Sequence, residues 1–375
     1  MLDPIVSFVT RIFEMIGRGF GQVIAWLLFP FVWLRALYKR THGIMKVLLA
    51  ILLLCIIIPY GWFFWNVAWI RNFDINYTDK IHFEEFTVSA GGAVTVDGNA
   101  DANKTCGRSA IVDVEIELLD FNVNQNAWIS ATLLYKLGLF GVFTWDSTPW
   151  MDNKASFQRG VHRAITSTSI ELQETLGRVR GTSERDGNLN AALSNIQISE
   201  FNWYMGLNPP GVKQTSWASY RQAMKEFKKY NDHLESCGAF FDARADNLSG
   251  LLDRIAKDIG STTAVIKDRA EQYNSGWFDT RADNVFMEAL GQLYGYAGVL
   301  RAAQVDFQDI IENRALGSLW DNMLSQIDSA LALDPLIISN GKEDGFIMPT
   351  HITTMGFYIL RVRTNLTEMR DVLKH

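Results

Sequence analysis

The strongest pattern in the chain is a run with almost no polar positions. From Met45 to Trp69 it reads MKVLLAILLLCIIIPYGWFFWNVAW, with Lys46 as its one charge and Asn66 as a late amide. Roughly twenty apolar residues at 1.5 Å each cross a hydrocarbon core of about 30 Å, so residues 45–70 are predicted to form a transmembrane helix. A soluble core helix this long would show a polar face, and a cleaved signal peptide would have a shorter apolar centre followed by small residues. This run ends instead in Trp62, Phe63, Phe64, Trp65 and Trp69. An indole ring places an apolar body and a polar N–H where lipid meets water, which assigns Trp62, Trp65 and Trp69 to the membrane interface.

Upstream, residues 1–44 carry Ile5, Phe8, Val9, Ile12, Phe13 and Ile16 at helical spacing, and the apolar face widens from Phe20 to Leu34 around Pro30. Two readings fit. One is an amphipathic helix lying in the inner leaflet, with Arg35, Lys39 and Arg40 on lipid phosphates; the other is a re-entrant or second spanning segment. The basic edge favours the first.

Downstream, residues 71–155 are mixed. Phe83 to Val96 combines β-branched residues with Gly91 and Gly92, as a short hairpin or irregular arm would. Val112, Val114, Ile116 and Leu118 alternate with acidic residues, a pattern that suits a half-buried strand and can equally be placed on a helix. Leu137 to Trp150 holds a cluster of large apolar residues that either dips into the outer leaflet or belongs to the core.

Residues 156–375 read as a helical bundle. Tyr220, Met224, Phe227, Asn231 and Leu234 step by three and four, as do Phe286, Leu290, Leu293, Ala297 and Leu300. Ile352, Met355, Ile359, Val362, Leu366, Met369 and Leu373 hold the alternation through three heptads. Such seams pack side by side. Gly291, Gly295 and Gly298 suggest a helix crossing at short distance. The predicted fold is mainly α: one transmembrane helix plus an extracytoplasmic antiparallel bundle of five to seven helices, with a small β or irregular arm after the span.

Charge assigns the sides. Six basic residues precede or open the span (Arg11, Arg18, Arg35, Lys39, Arg40, Lys46) against Asp3 and Glu14, so the N-terminus is expected in the cytoplasm. About 44 residues on that side are too few for a catalytic output module. Residues 72–375 hold 28 basic and 39 acidic residues, a formal net charge of −11, which argues against a nucleic-acid partner. Cys106 and Cys237 both fall outside the membrane. They either pair in an oxidising compartment, closing a loop worth on the order of 4 kcal/mol, or remain two buried thiols.

One heptapeptide occurs twice. Phe241-Asp242-Ala243-Arg244-Ala245-Asp246-Asn247 returns as Phe278-Asp279-Thr280-Arg281-Ala282-Asp283-Asn284, identical at six of seven positions with an offset of 37. In the structural reading the Phe residues are buried knobs, the Asp residues sit at helix entrances and each Arg bridges a carboxylate. In the functional reading Arg244, Asp246, Asn247, Arg281, Asp283 and Asn284 gather into one ligand site. The structural reading is favoured.

Catalytic signatures are absent from the sequence. Its six histidines form no HExxH or Cys/His cluster, and no GxSxG elbow, P-loop or GxGxxG fingerprint occurs, so neither metal nor cofactor is expected and no enzyme activity is assigned. His162 and His233, on predicted helices, are expected to be solvated or hydrogen-bonded.

The stretch Met151-Asp152-Asn153-Lys154-Ala155-Ser156-Phe157-Gln158-Arg159-Gly160-Val161, with Gly177-Arg178-Val179-Arg180-Gly181-Thr182-Ser183 and Arg244-Ala245-Asp246-Asn247-Leu248, resembles an uncharacterised proteobacterial family of single-pass inner-membrane proteins bearing a domain of unknown function. The resemblance implies a Gram-negative inner membrane and a periplasmic domain. It supplies no reaction and no ligand. The function expected is a membrane-anchored envelope protein whose periplasmic domain acts as a structural, scaffold or accessory subunit. Its partners would be membrane lipids and other membrane or periplasmic proteins, or further copies of itself. The alternative is a periplasmic binding module or enzyme for an envelope ligand, lipid or peptidoglycan.

Overall fold

A computed structural model describes residues 3–91, 105–178, 185–207, 210–273, 279–342 and 350–374. The chain divides into two compact units, Met1–Trp62 and Phe63–His375. The first holds α1 (Asp3–Arg40), which continues through Pro30, and most of α2 (Ile44–Val67). Gly43, at φ +52°, makes the turn between them. Along α2 the apolar side chains of Val47, Leu48, Ile51, Leu52, Ile57 and Ile58 are exposed, and burial begins only at Phe63, Asn66 and Val67.

The second unit is mainly α. Its helices are α3 (Ala110–Asp120), α4 (Leu133–Leu137), α5 (Asn153–Glu171), α6 (Gly187–Ile196), α7 (Ser216–Glu235), α8 (Ala245–Gln272), α9 (Ala282–Asp306), α10 (Gln308–Asn313), α11 (Gly317–Leu331) and α12 (His351–Lys374). Eight of these have ten or more residues, more than the five to seven expected. Residues 71–155 do not stand apart as a mixed region, because α3 packs against α5, α7 and α9 inside the bundle.

The alternating segment is therefore helix. Ser109 caps α3 by accepting from the Val112 N–H, and the Asp306 carboxylate takes the Ser109 hydroxyl and the Ala110 and Ile111 N–H groups. Those orphan donors of a helix start are satisfied from the far end of α9. Where a hairpin or arm was expected, Phe83–Glu85 makes a single 3₁₀ turn and Ala90 bridges Gly107; Gly92 to Val96 lie outside the described residues. The small sheet falls elsewhere, β1 (Met205–Leu207) against β2 (Pro210–Val212), antiparallel.

The seam of α12 buries the seven expected residues, Ile352 to Leu373, against α8 and α11. Asp253–Arg370, Gly260–Arg363 and Ile266–Gly356 contacts show α8 and α12 running antiparallel. The glycine stripe also acts as expected. A Cβ on Gly291 would lie 2.0 Å from the Phe157 carbonyl oxygen, and one on Gly160 2.0 Å from that of Glu288. Only backbones stripped of side chains come this close. Gly298 receives the Tyr77 hydroxyl, which donates to the Tyr294 carbonyl at 3.1 Å.

Candidate functional site

The glycine contacts fix a register between α5 and α9. Phe157 meets Gly291, and Val161 and Ala164 meet Gly295, so the two helices run in parallel with their N-termini at one end. Asp152 is the N-cap residue of α5, and Asp283 is the second residue of α9. Asp152 is 0% and Asp283 4% exposed, and neither carboxylate accepts a well-formed hydrogen bond from the described residues, although the N–H groups of the helix starts and the Asn284 amide lie near them. The side-chain oxygens of Asn153 and Asn284 are also buried and unpartnered. Asn284 donates through Nδ2 to the Asp146 carbonyl at 3.3 Å, and the Tyr135 hydroxyl donates to the Asp146 carboxylate at 2.6 Å.

Burial, and then the neighbouring Asp283 charge, pushes the Asp152 carboxyl up to about 8. Burial pushes Asp283 up to about 7, its own N–H and that of Asn284 opposing the rise. Two ionised carboxylates placed together in a buried site repel each other and forfeit hydration that the few nearby N–H groups replace only in part, so near neutrality the pair holds a proton or takes a group that supplies positive charge or further N–H donors. Among the described residues no group of three or more His, Cys, Asp or Glu side chains converges to hold a metal ion. Two residues past Asp152, Lys154 is 1% exposed and donates to the Trp69 carbonyl at 3.2 Å, and desolvation lowers its ammonium to about 8. That bond ties the start of α5 to the segment leaving α2.

The six residues proposed as one ligand site are not brought together. Arg244, Asp246 and Asn247 begin α8, whereas Arg281, Asp283 and Asn284 follow its far end, where Arg269 of its last turn pairs with Asp279. A 28-residue helix is about 42 Å long, and that length separates the two copies. Arg244 closes on Asp242 of its own loop, and Arg281 is exposed. Phe278 lies outside the described residues. Cys106 and Cys237 are joined in a disulfide with Cα atoms 5.4 Å apart.

Sequence reasoning passed over Asp152, Asp146 and Tyr135. A weak signal for Asp152 was present: of the four Asp-Asn doublets, those at 152–153, 246–247 and 283–284 stand at helix starts, while Asp321-Asn322 lies inside α11. His162 is buried and, as expected, hydrogen-bonded, to the Ile196 backbone. Its Nδ1 has no partner, its ring sits between Trp128 and Tyr220, and desolvation lowers it to about 4.

Fold and site define a class: a mainly α bundle, led by one apolar helix, with a buried carboxylate pair at a shared helix entrance. A family model described as an uncharacterized protein conserved in bacteria (DUF2333) matches residues 117–275 and 263–375, and the chain belongs to that family. The match begins within α3, past the apolar helix. No curated protein and no solved structure matches.

Proposed function

We propose that the chain is a membrane-anchored envelope protein. In this reading α2 crosses a bacterial inner membrane, the preceding segment is cytoplasmic, and Phe63–His375 forms a periplasmic structural or accessory subunit that works through protein contacts. The observation carrying it is that α2 is 24 residues long and that only 6% of its most apolar 18-residue stretch is buried by its own protein. An apolar helix that its fold leaves bare needs another apolar solvent. The Cys106–Cys237 disulfide fits an oxidising compartment on the bundle's side.

The test is native extraction in mild detergent, with a reporter active only in an oxidising compartment fused after His375. An active reporter and a defined oligomer or heteromeric complex are expected. An inactive reporter overturns the topology; a monodisperse monomer overturns the scaffold role. The buried, sparsely partnered Asp152 and Asp283 carboxylates favour a second reading, a binding module for an envelope ligand bearing amine or amide donors, lipid or peptidoglycan. A monomer that carries such a molecule through purification supports it.

A further inference from the structure

We propose that the turn between α4 and α5 is a lipid-docking element: Phe140, Val142 and Phe143 insert into the leaflet from which α2 emerges, so the bundle rests on the bilayer at a second point. The inference rests on the reading of α2 as a membrane span.

The local structure holds these side chains outward. Leu139 donates its N–H to the Phe143 carbonyl at 3.1 Å, Val142 to the Leu139 carbonyl at 2.9 Å, and Gly141 to the Leu137 carbonyl at 2.9 Å. Gly138, at φ +62°, allows this closure, since a Cβ there would fall 2.0 Å from the Phe143 carbonyl oxygen. Phe140 also adopts a positive φ of 53°, a conformation that bulky residues avoid. At the tip of this knot Val142 is 79% and Phe140 63% exposed, with Leu137, Phe143 and Trp150 exposed around them. An apolar cluster so displayed marks a surface that another apolar body covers.

The root of the turn is fixed where α2 ends. Trp145 is buried, and its Nε1 donates to the Leu134 carbonyl at 2.9 Å. Its ring lies 5.1 Å from that of Phe63 and 5.9 Å from that of Phe64, in the last turns of α2, and 5.8 Å from Phe143 in the turn itself. Ring contacts therefore run without a break from Phe63 and Phe64 through Trp145 to Phe143. Trp65 and Trp69, next along the chain from Phe64, are exposed.

Charge selects a lipid surface as the occupant. Between Ile129 and Met151 the charged residues are Lys136, which is exposed, and Asp146, which is half-buried and accepts from Tyr135. Lys213 stands close enough to oppose the Lys136 charge. Apolar and aromatic tips flanked by ammonium groups match acyl chains beneath phosphate headgroups. Although residues 72–375 are acidic as a whole, this segment carries only one residue of each sign.

The experiment uses the full chain in vesicles of phosphatidylethanolamine and phosphatidylglycerol. A polarity-sensitive fluorophore is placed on Val142→Cys in a Cys55→Ser background, on native Cys55, and on Lys257→Cys as a bundle control, with spin-labelled lipid as quencher. Quenching at position 142 should exceed that at 257 by about twofold or more, with a blue-shifted emission, as for groups held several ångströms into the interface. If Cys55 is quenched while 142 behaves like 257, the docking element is wrong and the span stands. If Cys55 is not quenched, the span itself fails, and this inference with it.

Discussion

The two copies of the heptapeptide share six of seven residues and end in opposite situations. The first closes on itself. Arg244 pairs with Asp242, Asn247 Nδ2 donates to the Asp242 carbonyl at 2.9 Å, and Asp246 faces solvent within 4.0 Å of Arg244. The second is answered from elsewhere in the fold. Asp279 is gripped by Arg269 of α8 and accepts from Asn340 Nδ2 at 2.9 Å, while Asn284 reaches to Asp146 and Asp283 is buried beside Asp152. Both copies open a helix, which the local residues dictate. What the carboxylates then do depends on the neighbour: α8 starts at the surface, and α9 starts against α5.

The largest expected effect separates the copies by their supports. Cys237 lies four residues before Phe241, so the disulfide to Cys106 staples the approach to the first copy across 131 residues. Reducing it, or making Cys106→Ser, should cost about 4 kcal/mol, chiefly through the freed unfolded chain. Hydrogen exchange should show protection falling at the start of α8 before the start of α9. Equal loss at both helix starts would mean that the copies are not independently supported.

Next in size is the paired comparison of Asp279→Ala with Asp242→Ala in urea unfolding. The Asp279 side chain is fully buried and Arg269 only 17% exposed, so removing the carboxylate strands a buried guanidinium and should cost about 3 kcal/mol. Arg244 is 42% exposed and can rehydrate, so losing Asp242 should cost about 1 kcal/mol. Similar costs for both would remove the distinction between a self-closed and a neighbour-closed copy.

Much of the scaffold was legible because it is periodic. The α12 seam, the α9 seam with its glycines and the apolar run of α2 each repeat one local rule over many residues. Residues 112–118 were ambiguous for a physical reason: α3 is enclosed by α5, α7 and α9, so it buries Ile111, Val112, Val114, Leu118 and even Glu115. A helix buried on most sides has no single apolar stripe to read. The aromatic turn was ambiguous because it is divided, with Trp145 buried and Phe140, Val142 and Phe143 exposed. The carboxylate pair was not legible, since it exists only through the register of α5 on α9, set by contacts between residues more than a hundred positions apart.

The smallest and most discriminating test is the pH dependence of stability in Asp152→Asn, Asp283→Asn and Asp246→Asn. Asp152 and Asp283 have native values raised to about 8 and about 7, above the unfolded carboxyl near 4. Between these limits the native state holds protons that the unfolded state has lost, so stability falls as pH rises through the window and levels off above about 8. Either buried Asn should flatten that slope, leaving stability near pH 4 little changed and raising it near pH 8. Asp246→Asn, in the exposed copy, should leave the profile within about 0.5 kcal/mol of the parent. If a divalent cation fills the buried pair instead, adding it should stabilise the parent at pH 8 and not the two buried variants. The profile therefore distinguishes a proton from a cation as the partner of the second copy, while the first copy needs neither.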